Sequence, residues 1–183
     1  MGLTFKKATD KDIPVIQDLV DRIWKKHYLP IIGEKQVDYM LAKNYSTESI
    51  QKQMKDQQEY TLVYDDEGNA IGYVSLRMKD KNNFFLHKFY LESDQRSKGI
   101  GTAVLNHILS TIPETSTIEL TVNRQNYKSI NFYFKNGFVI KEVADFDIGD
   151  GYFMNDFVKK INSSFPRENP ILENFCILCK SVS

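Results

Sequence analysis

The chain has 183 residues, of which 42% are hydrophobic, and its 24 Lys and Arg residues balance its 24 Asp and Glu residues. A chain with no net charge has no general electrostatic attraction for nucleic acid or anionic membranes, so neither is expected as a partner. No apolar run approaches the roughly 20 residues of a membrane span, and the N-terminus is too polar for a signal peptide. We therefore expect a single globular domain in the cytoplasm.

The first third of the chain is predicted to be mainly helical. A short strand at Thr4–Lys7 precedes Thr9, where a capping-box pattern starts an amphipathic helix that reaches Trp24. Pro30 and Gly33 interrupt the helical pattern. Shorter helices are expected at residues 35–41 and 47–55, the second capped by the residue at position 46.

Aromatic side chains are concentrated around these helices. The members of this group are Trp24, His27, Tyr28, Tyr39, Met40 and Tyr45. Aromatic residues between helices line a substrate pocket in some proteins and fill the core in others, and the spacing alone leaves both interpretations open. We take Trp24, His27 and Tyr28 as the candidate substrate contacts.

The middle of the chain predicts a sheet. Three strands, at residues 60–64, 70–78 and 84–91, follow one another through tight turns and should pair antiparallel. The strand at residues 118–122 comes after a helix, and such a crossover normally makes the second strand parallel to the first. A helix at residues 126–136 and strands at 138–146 and 152–159 complete the prediction.

A glycine-containing loop joins the aromatic strand at residues 84–91 to the next helix. It reads Arg96-Ser97-Lys98-Gly99-Ile100-Gly101-Thr102. The first N–H groups of a helix have no intrahelical partner and carry roughly half a positive charge, so this arrangement favours a phosphate ligand. The loop is not a P-loop, because Gly-Lys-Ser/Thr is missing. A dinucleotide site stays open as an alternative, because Glu119 stands near the position of a ribose-binding acid, although Val104 replaces its third glycine.

Two motifs together resemble the GCN5-related N-acetyltransferase (GNAT) family. The first is the Arg-x-x-Gly-x-Gly loop at Arg96. The second comprises Asn126, Ser129, Tyr133, Gly137 and Phe138 within the segment VNRQNYKSINFYFKNGF. The segments ATDKDIPVIQDLVDRIW and DYMLAKNYSTESIQKQM are also similar to a bacterial branch that includes spermidine/spermine acetyltransferases.

This resemblance implies an α/β (α+β) fold with a mixed, mostly antiparallel sheet, a central splayed parallel strand pair and helices on both faces. The implied domain covers residues 1–161, and residues 162–183 form an extension that we expect to dock on the domain, with a homodimer interface as one place for it. Cys176 and Cys179 in this extension lack the partners of a zinc site, so we expect free thiols and no bound metal.

The resemblance also implies acetyl-CoA as co-substrate, with its pantetheine arm between the splayed strands. Backbone groups of Phe89 and Leu91 would pair with the arm. The remaining cofactor contacts that the family implies are Arg96, Ser97, Lys98, Gly99, Gly101, Thr102, Asn126 and Tyr133.

Two residues are candidates for proton transfer. Tyr133 matches the family's acid position, and a phenol can protonate the leaving thiolate. His87 is a candidate base, because strand alternation predicts that it shares a face with Phe85, Phe89 and Leu91. A water relay is the alternative, since the glutamate that some members carry on this strand is absent here.

The expected activity is direct transfer of an acetyl group to a primary amine of a small molecule in a ternary complex, with a polyamine as the favoured acceptor. Glu142, Asp145, Asp147 and Asp150 would attract a cationic acceptor or simply form a solvated hairpin. A non-catalytic acyl-CoA-binding module and an enzyme acting on a protein N-terminus or lysine are the alternatives.

Overall fold

The computed structural model describes residues 2–92 and 99–163, without the side chains of Lys25 and His27. The helices are α1 (Ile13–His27), α2 (Leu29–Ile32), α3 (Glu34–Tyr45), α4 (Thr47–Lys55), α5 (Ile100–Ser110) and α6 (Tyr127–Lys135). The strands are β1 (Thr4–Lys7), β2 (Glu59–Tyr64), β3 (Ala70–Asp80), β4 (Asn83–Leu91), β5 (Thr117–Asn123), β6 (Val139–Gly149) and β7 (Tyr152–Asn162). Of the predicted C-terminal extension only Asn162 and Ser163 are described, so the prediction for Cys176 and Cys179 lies outside the described residues.

The strands form one mixed sheet in the order β1-β2-β3-β4-β5-β7-β6. Neighbouring strands are antiparallel, except that β4 and β5 run parallel on either side of the crossover through α5. This arrangement confirms the predicted fold class and the predicted parallel pair.

The parallel pair is joined at one end only. Its register runs from Asn83 opposite Thr117 to Phe85 opposite Glu119. Beyond these residues β4 stays paired with β3 and β5 stays paired with β7, so the two halves of the sheet separate. The predicted splaying of the central strands is therefore confirmed.

Helices cover both faces of the sheet, as predicted. On one face, here called the α5/α6 face, Val104 and Ile130 pack with Leu86 and Val122 in a single apolar cluster. On the other, the α1/α3 face, an apolar stripe of α1 packs on the aromatic residues of β2 and β3. Its buried members are Ile16, Leu19, Val20 and Ile23, which recur at the spacing of a helix face.

Helix bounds in the first third differ from the prediction. Pro30 lies in the first turn of α2, where its missing N–H costs no hydrogen bond, so it does not break the helical region. The predicted helix at residues 35–41 is too short, because α3 continues to Tyr45. The predicted cap at Ser46 is present, and its side chain accepts a hydrogen bond from the Ser49 backbone N–H.

A β-bulge interrupts β4 at His87. Ser75 of β3 pairs with Lys88, and the next residue, Leu76, pairs with Leu86, which leaves His87 as the extra residue. A bulge reverses the alternation of side chains along the strand. Leu86 consequently packs in the same cluster as Leu91. In a regular strand these two residues, an odd number of positions apart, would lie on opposite faces. The prediction that His87 shares a face with Phe89 and Leu91 is therefore wrong, because that side chain belongs to the α1/α3 face.

Candidate active site

The split between β4 and β5 opens into a cavity of about 650 Å³. It connects the start of α5 with the aromatic residues of α1 and α3 on the opposite face of the sheet. The walls come from both separated strands and from α6 and β7, and they include Leu86, His87, Lys88, Phe89, Tyr90, Leu91, Thr121, Val122, Asn123, Met154 and Asp156.

The N-terminus of α5 forms one end of the cavity. Gly99 precedes the helix with φ of 76°, a left-handed conformation that favours glycine. A Cβ on Gly101 would lie 3.0 Å from the Phe132 ring, so glycine allows α5 to pack closely on α6. Gly99, Gly101 and Thr102, which the sequence analysis names as cofactor contacts, line the cavity. Arg96, Ser97 and Lys98 lie outside the described residues.

The start of α6 explains the spacing of the second sequence motif. The side chain of Asn126 accepts a hydrogen bond from the Ser129 backbone N–H at 3.2 Å and so caps the helix. Both residues line the cavity. At the other end of α6, Gly137 has φ of 87°, the left-handed conformation predicted for a helix end.

Tyr133 lines the cavity from α6 and is 7% exposed. Its ring makes edge contacts with Phe89 and Phe138, at centroid distances of 6.4 and 5.2 Å. Burial, and secondarily the nearby Tyr28, raise the pKa of the phenol above its usual value. The phenol is therefore protonated at neutral pH and is available as a proton donor.

Phe89 and Leu91 lie on the β4 side of the split and face α6. The Phe89 ring is 5.6 Å from that of Phe132, and Leu91 belongs to the apolar cluster of the α5/α6 face. Their backbone groups lie beyond the last residue of β4 that pairs with β5. This part of β4 is therefore able to pair with an extended ligand in the cavity.

His87 reaches the cavity from the α1/α3 face, next to the Phe85 ring at 4.7 Å. The surrounding protein desolvates the imidazole and, together with the neighbouring Lys88 and Arg77, lowers its pKa to about 4, although the side chain keeps access to solvent. The ring is therefore neutral at pH 7 and accepts a proton only weakly.

Aromatic side chains enclose the other end of the cavity. Trp24 lies 4.5 Å from Tyr28 and 5.8 Å from Tyr90 between ring centroids. Tyr45 and Met40 complete this wall. Trp24 and Tyr45 are buried in the core cluster of this face and also line the cavity. Tyr39 instead donates a hydrogen bond to the Ile148 carbonyl, and the side chain of His27 is not described.

Two buried charged residues of the cavity are not among the candidates of the sequence analysis. Lys88 is 9% exposed and donates a hydrogen bond to Gln53 Oε1 at 2.7 Å, and burial lowers its pKa to about 7. Asp156 of β7 is 1% exposed, and burial raises its pKa to about 6. In the sequence, each of these two residues is only a charged residue within an otherwise apolar or aromatic strand. That observation indicates a functional site only weakly, because the sequence does not show on which face of the sheet the side chain lies.

Other predicted acidic residues lie away from the cavity walls. Asp145 is paired with Arg124, and Asp147 accepts a hydrogen bond from the Gly149 N–H, as in a solvated hairpin. Glu119, the candidate ribose-binding acid, is paired with Lys79 and Lys141. The mostly antiparallel sheet also lacks the parallel strand order of a dinucleotide-binding fold, so the structure argues against a dinucleotide site.

Two further features are absent from the described parts of the chain. Residues 2–92 and 99–163 contain no group of three or more His, Cys, Asp or Glu side chains arranged to hold a metal ion. Over the same ranges, no helix combines the length and the apolar character needed to cross a membrane.

Known proteins resemble this chain in sequence and in fold. Residues 19–138 match the family model described as the acetyltransferase (GNAT) family. The chain is 24% identical over 153 residues to a spermidine N(1)-acetyltransferase of Thermoplasma acidophilum, a match that covers 80% of this chain and 94% of that protein. It is 29% identical over 103 residues to an L-2,4-diaminobutyric acid acetyltransferase of Virgibacillus pantothenticus, covering 54% and 64% of the two chains.

A solved structure has the same fold. The PaiA N-acetyltransferase from Thermoplasma acidophilum, in complex with coenzyme A, superposes with a TM-score of 0.72 at 22% identity. The likeness covers 88% of this chain and 99% of that one.

Proposed function

Because the chain belongs to the acetyltransferase (GNAT) family, we propose that it transfers the acetyl group of acetyl-CoA directly to a primary amine of a small, polyamine-like molecule. The observation that carries this proposal is the continuous cavity through the split sheet. One end has the helix terminus and glycines suited to phosphate groups, and the other end has aromatic walls. Both substrates can therefore be bound at once, as a ternary complex requires.

The residues around the split fit acetyl-CoA. Gly99, Gly101 and Thr102 leave the first turn of α5 open to a pyrophosphate, with Arg96, Ser97 and Lys98 preceding it in sequence and Asn126 at the start of α6. Backbone groups of Phe89 and Leu91 would pair with the pantetheine amides. The bound thioester supplies an activated acetyl group.

Tyr133 is proposed as the acid that protonates the departing thiolate. Burial keeps the proton on the phenol at neutral pH, so its hydroxyl can donate a hydrogen bond to the sulfur and pass its proton on as the carbon–sulfur bond breaks. His87, neutral at pH 7, can accept a hydrogen bond from the acceptor amine. This assignment gives the two residues different roles on opposite faces of the sheet.

The polyamine preference rests on the chemistry of the aromatic end. Trp24, Tyr28 and Tyr90 present ring faces and edges around the pocket, and such rings attract organic cations. The relative from Thermoplasma acidophilum is named for spermidine, which is a cation of this kind.

Thermal melting followed by a turnover assay tests this function. Melting with acetyl-CoA, CoA, NADH and ATP in parallel should show stabilisation by the two CoA ligands only. Thiol release from acetyl-CoA is then measured with spermidine, spermine, 2,4-diaminobutyrate and an unstructured peptide that carries a free N-terminus. Highest turnover with the polyamines supports the proposal, and highest turnover with the peptide overturns the acceptor class. CoA binding without turnover of any amine indicates a binding module.

A further inference from the structure

Asp156 is a buried carboxylate whose environment within the described structure is incomplete. It is 1% exposed, and its Oδ1 has no hydrogen-bond partner among the described residues. Buried carboxylate oxygens in native proteins normally have a partner, and an unpaired one often belongs to a site that is completed by a ligand or water. Asp156 also lines the cavity of the candidate active site.

The fold places Asp156 on the acceptor side of that cavity. It lies opposite Asn123 in the β5–β7 register, one residue from Phe157, which packs on the α5/α6 face. Because side chains alternate along a strand, Asp156 points to the α1/α3 face, where the aromatic walls are. Asn123, its neighbour across the strand pair, is the last residue of β5 and also lines the cavity.

We propose that Asp156 binds the ammonium group of the acceptor and accepts a proton from it during acetyl transfer, an inference that rests on the proposed function. Asp156 takes one proton from the ammonium nitrogen and later releases it to water. The nitrogen forms the new bond to the acetyl carbon, and the carbon–sulfur bond breaks with its electron pair on sulfur. Tyr133 gives its proton to that sulfur and regains one from the amide nitrogen, so one proton in total enters the solvent.

The charges around Asp156 are compatible with this role. Burial raises the pKa of Asp156, and a hydrogen bond with the Thr121 side chain of β5 lowers it. Of the nearby charges, Arg124 lowers this pKa and Asp145 of β6 raises it, but these two residues are paired with each other. Lys88 and His87 lie on β4, across the same cavity. Asp156 is the one carboxylate among the described residues of the cavity wall, so a cationic nitrogen that enters there has this partner.

The test compares wild type with Asp156→Asn, which keeps the shape of the side chain and removes its charge. Thiol release is measured from pH 5 to 9 with acetyl-CoA and spermidine, or with the most active amine of the panel if spermidine is not turned over. We expect kcat/KM to fall by about 100-fold or more in Asp156→Asn, and the acidic limb of the profile near pH 6 to disappear. Asp156→Glu should recover part of the activity.

Two controls separate this role from a structural one. Asp147→Asn makes the same chemical change at an exposed residue of the adjacent strand β6 and should leave kcat/KM within a few-fold of wild type. Without any ligand, Asp156→Asn should melt at a higher temperature than wild type at pH 8 and at the same temperature at pH 4, because only the ionised carboxylate is disfavoured by burial. Affinity for CoA should not change.

The outcomes for the two proposals differ. Full activity and an unchanged acidic limb in Asp156→Asn overturn the role of Asp156 and leave the proposed function intact. If wild type binds CoA but turns over no amine, the proposed function fails, and the role of Asp156 fails with it. Loss of CoA affinity equal to the loss of turnover makes Asp156 a structural residue.

Discussion

Tyr133 combines burial, a phenol that is protonated at neutral pH and a position beside the split, so its hydroxyl can donate to the sulfur of a departing thiolate. We predict that Tyr133→Phe lowers kcat by about 100-fold or more, because the change removes only the acidic hydroxyl. The dissociation constant for CoA should stay within about two-fold, since the ring contacts with Phe89 and Phe138 remain. Single-turnover kinetics and calorimetric CoA titration measure the two quantities.

Tyr127→Phe is the matched control, because Tyr127 lies on the same helix and is 70% exposed. It should leave both kcat and CoA affinity unchanged. If Tyr133→Phe weakens CoA binding as much as it lowers turnover, the phenol serves packing and not proton transfer.

Individual residues could be predicted from the sequence where a motif fixes their position. Gly99 and Asn126 stand at the starts of α5 and α6 as predicted, because caps follow local rules of chain geometry. His87 was placed on the wrong face, because one extra residue in a strand leaves no mark in an apolar pattern. Lys88 and Asp156 acquire their importance from burial by distant segments, which local sequence does not reveal.

A contact between α3 and the β6–β7 hairpin closes the acceptor end of the site. Tyr39 and Lys43 both donate hydrogen bonds to the Ile148 carbonyl, at 2.8 and 2.6 Å, and the Tyr39 ring lies 5.2 Å from that of Tyr152. Met40 and Asn44, on the same helix, line the cavity. This contact therefore fixes the position of one cavity wall.

We predict that Tyr39→Phe raises KM for the acceptor about 3- to 10-fold while kcat and CoA affinity stay near wild type. One hydrogen bond contributes on the order of 1 kcal/mol, and its loss loosens only the acceptor wall. Initial rates at varied acceptor and saturating acetyl-CoA measure the effect. Tyr152→Phe, which keeps the Ile148 contact, is the control, and an equal rise in KM in that variant would contradict the explanation.

At the level of elements, hydrophobic alternation and turn residues predicted the type and order of every strand. The bounds were less accurate, because β7 gains three residues from pairing with the full length of β5 out to Asn162. The parallel orientation of β4 and β5 followed from the crossover helix. The extent of their separation depends on how both halves of the sheet twist, which no local pattern encodes.

The stability of the whole protein should depend on pH through Asp156 and Lys88. Burial raises the pKa of Asp156 from 3.8 to about 6, so its contribution to stability is present below pH 4 and is lost as pH rises through 6. Burial lowers the pKa of Lys88 from 10.5 to about 7, so its contribution is present above pH 10.5 and is lost as pH falls through 7. Both groups therefore destabilise the ligand-free fold most between pH 6 and 7.

We predict that the double variant Asp156→Asn, Lys88→Met melts several degrees above wild type near pH 6.5, on the order of 1–3 kcal/mol in unfolding free energy. The difference should shrink towards pH 4 and towards pH 10, where one of the two penalties is relieved. Melting temperatures of both proteins across this range measure it. Two parallel profiles would show that neither group titrates with a shifted pKa.

The separation of β4 and β5 leaves two strand edges inside the sheet. Beyond Phe85 and Glu119, no strand among the described residues lies between these edges. Unpaired strand edges form hydrogen bonds with extended chains. Because the gap between the two edges exists only in the folded protein, a ligand that lies extended in it binds the folded state and not the unfolded state. Cells degrade unfolded chains, and the lifetime of this protein should accordingly lengthen when the supply of that ligand is plentiful.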